Sequence, residues 1–409
     1  MSRTHDPYGP LRIRNFRWLI LAYGTSTVAR EAQIVVVGWQ VYEHTHDPLS
    51  LGLIGLAEAL PFIAVALYAG HVADRASRRT IALLGTMGIA LSAAILLAFT
   101  LHPSMLAAGH VWPIYAVIFA SGIARSFTRP SVTALSAEVI PRELDASAVT
   151  WRTSTWQFAA VVGPALGGLL YGFGGAALAY TVVLVLFAAA IVALLFISHQ
   201  SEPRAASTDS VAESLKIGFR FLRSQPVLLR AMTLDLFSVL FGGATALLPI
   251  FARLLGAGPQ GLGLLRASPA VGSLIIGLFL AHRPPLRRVG VTLFCAVGLF
   301  GVAMIAFALS RNFYLSLGLL TLSGMADNVS VLIRGTLLQT RTPHQLLGRV
   351  SSVNQIFIGS SNEIGAFESG LAARLLGTVP SVIFGGVMTL VVVAVIASSS
   401  TSLRKMREI

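Results

Sequence analysis

The sequence predicts an all-α integral membrane protein in which twelve transmembrane helices form two pseudo-symmetric six-helix bundles. Three observations predict this fold class: the composition, twelve long apolar runs, and a repeat that relates the two halves of the chain. Of the 409 residues, 55% are hydrophobic and only 11% are charged, and the mean hydropathy is +0.76. A soluble domain carries about 25% charged residues. Most of this chain is therefore expected to lie in lipid.

Twelve apolar runs are long enough to cross a bilayer, which takes about 20 residues of α-helix. We number them as spans 1 to 12, and they cover residues 16–41, 50–70, 79–101, 112–136, 147–172, 176–198, 227–252, 261–282, 290–309, 313–338, 350–373 and 379–400. An even number of spans places both termini on the same side of the membrane.

The second half of the chain repeats the first at a constant shift, 343 − 141 = 202, so that Pro141 falls on Pro343 and Gly163 on Gly365. The predicted domains are an N-terminal bundle, residues 1–199, and a C-terminal bundle, residues 227–409. A two-copy membrane protein is typically a transporter whose substrate site lies where the copies meet.

The linker between the bundles, residues 200–226, begins with a polar stretch and continues with apolar residues at helical spacing. Lys216, Arg220 and Arg223 lie beside these apolar positions, which are Val211, Leu215, Phe219 and Leu222. This pattern predicts a short amphipathic helix on the inner leaflet of the membrane. A plain spacer between the bundles is compatible with the same residues.

The basic residues predict the orientation of the chain. With both termini on one side, that side collects 21 Lys and Arg residues, and the other side receives only Arg253, Arg311 and Arg374. The side rich in Lys and Arg is normally cytoplasmic, so we expect both termini in the cytoplasm and the protein in the inner (cytoplasmic) membrane. The net charge of +13 then reflects orientation, and nucleic acid is not an expected partner.

Charged residues at bilayer depth are expensive and usually functional. Spans 3, 6, 9 and 12 carry none away from their ends, so we expect these four spans to face lipid and the other eight to surround a polar interior. The candidates for substrate binding or proton coupling are Arg30, Glu31, Glu58, Arg125, Asp235, Asp327, Glu363 and Glu368.

Arg125 and Asp327 are equivalent in the repeat and opposite in charge, so they could pair or bind the two ends of a polar ligand. Separate salt bridges within each half are the alternative. Arg129 and Arg334 lie near the predicted cytoplasmic ends of their spans, where an arginine can also snorkel or brace a loop. Arg152 and Arg266 are the remaining charges at depth.

Several chemistries are not expected. The only lysines are Lys216 and Lys405, and neither follows the glycines of an ATP-binding P-loop. No histidine lies in the middle of a span and Cys295 is the only cysteine, so we predict no metal, no cofactor and no enzymatic activity. The carboxylates within the spans remain as groups that could bind and release a coupling proton.

The loop between spans 2 and 3 carries a recognisable motif, Gly70-His71-Val72-Ala73-Asp74-Arg75-Ala76-Ser77-Arg78-Arg79-Thr80. It resembles the G-x-x-x-D-R-x-G-R-R signature of the major facilitator superfamily, with Ser77 in place of the second glycine. The resemblance implies a cytoplasmic gate, in which Asp74 caps the start of span 11. The gate residues it implies are Gly70, Asp74, Arg75, Arg78, Arg79, Arg129 and Arg349.

Within that superfamily, the segments 214–226 and 336–350 resemble the branch that contains the enterobactin exporter and macrolide-efflux proteins. In span 5, Gly163, Pro164, Gly167 and Gly168 resemble the end of the antiporter motif, although Thr150 and Ala159 replace its upstream glycines. The resemblance implies export. The residues themselves indicate close helix packing through small side chains.

The expected function is proton-coupled export of a small organic molecule (a drug, siderophore or other metabolite) by a monomer that alternates access through a rocker-switch motion. The expected partners are this substrate, protons and membrane lipids. A lipid or amphiphile transporter of the same fold is the alternative. A membrane-embedded enzyme would need a convergent cluster of histidines or metal ligands at depth, which the sequence lacks.

Overall fold

The computed structural model describes residues 6–75, 77–105, 110–198, 211–284 and 287–407. Within these residues every predicted span is helical and no strand is present. The bounds are Arg14–Thr45 for span 1, Pro48–Arg75 for span 2, Arg78–Leu101 for span 3, Trp112–Glu138 for span 4, Asp145–Leu195 for spans 5 and 6, Pro226–Gly242 and Leu248–Leu254 for span 7, Gly258–Ala281 for span 8, Val289–Leu309 for span 9, Phe313–Arg341 for span 10, His344–Leu376 for span 11 and Thr378–Ser399 for span 12.

Three spans depart from a simple helix. Spans 5 and 6 form one helical stretch that bends at Gly174 and Gly175, and Gly175 has a φ of +69°. Only glycine adopts this left-handed region without a steric cost, so the bend separates the two spans where the repeat requires it. Span 7 is interrupted by a 3₁₀ turn, Ala244–Leu247, and resumes at Leu248 with Pro249 in its first turn.

The predicted fold class is confirmed. Among the described residues, seven helical stretches are long and apolar enough to cross a membrane by length and composition, and spans 5 and 6 share one of them. The long helices outside this set are spans 1, 2, 4 and 11, and each carries at least one charged residue within its run. Charged candidates also occur inside the set, since span 7 carries Asp235 and span 10 carries Asp327.

Contacts between residues divide the chain into two compact units. The first contains Met1–Gln40 and Leu60–Thr208, and the second contains Val41–Ala59 and Asp209–Ile409. The end of span 1 and the start of span 2 thus pack with the C-terminal helices. The predicted division into residues 1–199, 200–226 and 227–409 stays a prediction. It follows chain order, whereas the boundaries between the two units fall inside the helices of spans 1 and 2.

Each unit has its own apolar core. In the first unit, Phe16, Leu19, Leu135, Leu194 and Ile197 are fully or almost fully buried in one cluster. Spans 3, 6, 9 and 12 expose large apolar side chains along their lengths, among them Leu91, Val185, Val302 and Val395. Other spans also expose large apolar side chains, among them Phe158 and Leu278, so the expectation that every third span faces lipid stays a prediction.

The linker forms a helix at Val211–Ser224. Its apolar residues do not share one environment: Leu222 is fully buried in the core of the second unit, Leu215 packs against that core, and Phe219 is 48% exposed. The predicted short helix is present, and its position on the inner leaflet stays a prediction.

Candidate functional site

The most deeply buried charges of the second unit form a cluster between spans 7 and 10. Arg334 Nη2 lies 2.6 Å from Asp235 Oδ1, and each of the two side chains is only 8% exposed. Arg334 Nε also donates a hydrogen bond to Ser330 Oγ at 3.2 Å. The interpretation of Arg334 as a snorkelling residue is wrong, because its guanidinium points into the protein and is neutralised there.

The local sequence explains how the cluster forms. Asp327, Ser330 and Arg334 are spaced by three and four residues, so they share one face of span 10, and Asp235 and Ser238 share one face of span 7 in the same way. Two polar faces buried in a membrane are stabilised by meeting each other, because lipid offers them no hydrogen bonds.

Asp327 completes the cluster without a direct partner. Its carboxylate interacts electrostatically with Arg334 and Asp235, but it makes no hydrogen bond or close ion pair within the part of the chain that the structure describes. Both aspartates line a cavity of about 10 Å³, together with Ser238, Ser330 and apolar neighbours. This volume suffices for roughly one water molecule. With both acids ionised, the cluster carries a net charge of −1.

The first unit contains a different arrangement on span 1. Arg30 Nη2 contacts Glu31 Oε1 at 2.7 Å, and the two side chains are 29% and 14% exposed. The pair is neutral and less buried than the cluster of span 10. Glu31 is thus held beside a compensating charge, and its carboxylate is oriented by it.

The antiporter-like motif of span 5 packs directly against this part of span 1. A Cβ added to Gly163 would lie 2.5 Å from Glu31 Cβ, and one added to Gly167 would lie 2.6 Å from the carbonyl oxygen of Ala32. Pro164 and Gly168 are buried in the same segment. The small residues therefore allow the two helices to approach closely at Glu31.

The second unit repeats this packing. Gly365, the repeat equivalent of Gly163, lies on span 11, and an added Cβ there would lie 2.9 Å from the carbonyl oxygen of Leu240 on span 7. Span 11 thus approaches span 7 as span 5 approaches span 1. The duplication seen in the sequence extends to helix contacts.

The other predicted coupling residues are half-buried. Glu58 is on span 2 within the second unit, and Gly55, one turn earlier, packs against the backbone of Glu363 on span 11. Glu368 is also on span 11 and makes no hydrogen bond or ion pair among the described residues. Arg125 belongs to the first unit and Asp327 to the second, so their pairing stays a prediction.

The predicted gate residues are only partly described. Gly70, Asp74 and Arg75 lie in the helix of span 2 and Arg129 in that of span 4, but their side chains lie outside the described set. The capping of span 11 by Asp74 therefore stays a prediction. Arg349 is half-buried at the start of span 11.

Arg78 and Arg79 have well-defined contacts within the first unit. Arg78 forms an ion pair with Glu138 at the end of span 4. Arg79 donates hydrogen bonds to the carbonyl oxygens of Leu194 at 3.0 Å and Leu195 at 2.7 Å. These carbonyls are at the end of span 6, where the last helical carbonyls lack i+4 partners, although Leu194 also accepts a hydrogen bond from the Ile197 amide. The two arginines thus join spans 3, 4 and 6.

Sequence reasoning missed a set of contacts at the predicted outer ends of the spans, which we call the outer clamp: Tyr42, Asp47, Gly52, Arg253, Gly370 and Arg374. Arg374 Nη1 lies 3.5 Å from Asp47 Oδ2, and Arg253 lies over the ring of Tyr42 at 6.0 Å from its centroid. A Cβ added to Gly370 would lie 2.7 Å from Gly52 Cα. All six residues belong to the second unit. The missed signal was that Arg253 and Arg374 are two of only three outer arginines.

Solved structures of transporters share this fold. A transporter of the POT family in complex with a thioalcohol-conjugated peptide has a TM-score of 0.75 at 11% identity, covering 95% of this chain and 96% of that one. A bacterial homolog of the human lysosomal transporter Spinster has a TM-score of 0.73 at 15% identity, with coverages of 98% and 99%. These likenesses show that the chain has the fold of known membrane transporters.

Sequence comparison identifies the family. The family described as "Transmembrane secretion effector" matches residues 5–409, and the chain belongs to it, within the major facilitator superfamily. The enterobactin exporter EntS of Shigella flexneri is 29% identical over 408 residues, covering 96% of this chain and 93% of that protein. EntS of Escherichia coli strain SMS-3-5 is 29% identical over 406 residues with the same coverages. The predicted superfamily and branch are confirmed.

Proposed function

We propose that this protein exports a small organic molecule across the cytoplasmic (inner) membrane in exchange for protons, as a monomer with both termini in the cytoplasm. Similarity to enterobactin exporters over nearly the whole chain supports export. The family and the named relatives are transporters, which favours transport over catalysis. The observation that carries proton coupling is the buried pair of Asp235 and Arg334 with the half-buried Asp327 beside it.

The charge balance of this cluster favours a bound proton. Two carboxylates and one guanidinium leave one negative charge uncompensated, and an uncompensated charge costs several kcal/mol in a low-dielectric interior. A proton on one carboxylate removes that cost. Because Asp235 already contacts Arg334 at 2.6 Å, Asp327 is the carboxylate that would hold the proton.

Loss of the proton would change which helices the cluster holds together. An ionised Asp327 competes with Asp235 for Arg334, and these residues are on spans 10 and 7 respectively. Proton binding would thus bias the packing of span 7 against span 10. In a transporter whose halves pivot about a central cavity, such a bias favours one of the two conformations. The size of the effect is the difference in free energy of proton binding between them.

The first unit would contribute to substrate binding. The neutral Arg30–Glu31 pair needs no proton to balance its charge, and it offers both an acceptor and donors to a polar ligand. Arg125 would add a second cation. Sites with both signs of charge suit a siderophore, a drug or another metabolite with several polar groups. The relatives' named substrate, enterobactin, is the first compound to test.

The test measures uptake of labelled enterobactin or a fluorescent dye into inside-out membrane vesicles. An imposed proton gradient drives the uptake. Uphill accumulation should be lost in Asp327→Asn, whereas exchange of substrate without a gradient should persist, because only coupling is removed. Asp145→Asn removes an exposed carboxylate and serves as the matched control.

Three further variants probe the other carboxylates: Glu31→Gln, Glu363→Gln and Glu368→Gln. If every carboxylate variant, including Asp327→Asn, accumulates substrate as the wild type does, proton coupling through these groups is refuted. If Asp327→Asn abolishes exchange as well as uphill accumulation, the residue serves transport itself and the assignment of coupling to it fails.

A further inference from the structure

The linker helix, Val211–Ser224, presents a cationic face that the transport cycle proposed above does not use. Lys216, Arg220 and Arg223 are exposed and lie on one side of the helix with Phe219, which is 48% exposed. Within the described part of the chain, none of the three cations has an acidic partner. The face therefore combines three cations with one large apolar side chain, and the only carboxylate of the helix, Glu213 in its first turn, leaves it with a net positive charge.

The opposite face of this helix is fixed to the second unit. Leu222 is fully buried in its core, and a Cβ added to Gly218 would lie only 2.7 Å from the carbonyl oxygen of Arg349 on span 11. Such close contact determines which side of the helix faces outward. The cationic face is thus presented by a docked element in a defined orientation.

The position of the helix along the chain places this face near the membrane surface. Only Gln225 separates its last residue from Pro226, where span 7 begins. A helix joined so closely to a transmembrane segment lies at the depth of the lipid headgroups. Cations at this depth attract anionic lipids, and an exposed aromatic residue beside them is typical of helices that lie in the interface.

We propose that Lys216, Arg220 and Arg223 form a binding surface for the headgroups of anionic phospholipids, with Phe219 inserted at the boundary between headgroups and acyl chains. The cations would bind lipid phosphate, and Phe219 would contact the glycerol region. A soluble acidic partner would also match the charge, but the exposed phenylalanine next to the start of span 7 favours a lipid. The linker helix packs on Arg349 at the start of span 11, so a lipid bound to the linker helix would lie close to the start of span 11.

The test places a tryptophan in the proposed contact. Phe219→Trp protein is reconstituted into liposomes of phosphatidylcholine that contain 20% brominated phosphatidylglycerol or, separately, 20% brominated phosphatidylcholine, and wild-type fluorescence is subtracted. Bromine quenches tryptophan only on contact. Each cation near an anionic surface contributes about a fivefold preference. The apparent affinity for brominated phosphatidylglycerol, read from the quenching, should therefore exceed that for brominated phosphatidylcholine at least fivefold. Added salt should reduce the difference.

The cations are then removed in the same background by Lys216→Gln, Arg220→Gln and Arg223→Gln together, which should abolish the preference. The control removes three exposed cations elsewhere, Arg404→Gln, Lys405→Gln and Arg407→Gln, and should keep it. Equal quenching by the two lipids in Phe219→Trp, or a preference that survives loss of the three cations, overturns the proposal. Absence of quenching by either lipid also overturns it, in favour of a soluble partner. If the triple variant does not fold, the salt dependence of quenching in Phe219→Trp decides instead. A preference for phosphatidylglycerol that added salt does not reduce also overturns the proposal.

Discussion

Replacing Arg334 with glutamine should be the most damaging single substitution in the buried cluster. The wild-type cluster contains two carboxylates and one guanidinium, and the contact between Arg334 and Asp235 is 2.6 Å with both side chains 8% exposed. Arg334→Gln leaves two acids and no cation, a net charge of −2 when both acids are ionised and of −1 when Asp327 holds a proton. Removing one partner of a buried ion pair typically costs about 3–5 kcal/mol.

Replacing Asp235 with asparagine should cost less, although it breaks the same ion pair. Asp327 remains in the cluster and can neutralise Arg334, so the net charge becomes zero. The loss is then about one charge-assisted hydrogen bond, or about 1.5–3 kcal/mol. The charge count thus predicts an asymmetry between the two partners that a simple pair would not show.

The assay is thermal unfolding of purified protein in detergent, followed by tryptophan fluorescence at neutral and at mildly acidic pH. Arg334→Gln should have the lowest melting temperature, Asp235→Asn an intermediate one, and Arg334→Lys, which keeps the cation, should remain closest to the wild type. The deficit of Arg334→Gln should shrink as the pH falls, because protonation discharges the two carboxylates. An Asp235→Asn variant that is as unstable as Arg334→Gln would refute the role of Asp327.

Three other predictions concern packing and the ends of the helices. Gly163→Ala should lower transport and cost about 1–3 kcal/mol of stability through overpacking, whereas Gly298→Ala, where an added Cβ meets nothing within 4 Å, should leave uptake into vesicles unchanged. Asp47→Arg and Arg374→Asp should each slow transport, and the double exchange should restore part of the rate; a double variant no better than either single variant would exclude a functional ion pair. Arg79→Gln should lower the melting temperature, since it removes the guanidinium hydrogen bonds to the carbonyl oxygens of Leu194 and Leu195, at about 1–3 kcal/mol; an unchanged melting temperature would contradict this role.

Much of the fold could be predicted because its determinants are local. Hydrophobic length defines each span, and the repeat of 202 residues relates the halves. Helical spacing also places Asp327 and Arg334 on one face of span 10. What spacing cannot show is which other helix that face contacts. Asp235 lies 334 − 235 = 99 residues away from Arg334, and nothing in the local sequence indicates that they meet.

The outer clamp shows a second limit. Chain order assigns all of spans 1 and 2 to the N-terminal bundle, but the packing changes between Gln40 and Val41 and again between Ala59 and Leu60. Neither change coincides with a loop; the first has no local signal, and the second lies beside Pro61 within the helix of span 2. The rarity of outer arginines was the available signal. It was used for orientation, although Arg253 and Arg374 also mark contacts.

The packing of Val41–Ala59 with the C-terminal helices has a consequence for biogenesis. Asp47 is synthesised 374 − 47 = 327 residues before its partner Arg374. The first two helices to enter the membrane therefore lack the C-terminal helices on which they pack until nearly the whole chain has been translated. Contacts between such distant segments form late. A ribosome that stalls before span 11 would leave an N-terminal intermediate with Asp47 and Gly52 uncovered, a marker by which quality-control proteases could recognise unfinished chains. Likewise, a C-terminal half produced alone would lack nineteen residues of its own compact unit, and should assemble only when the N-terminal half is supplied in the same membrane.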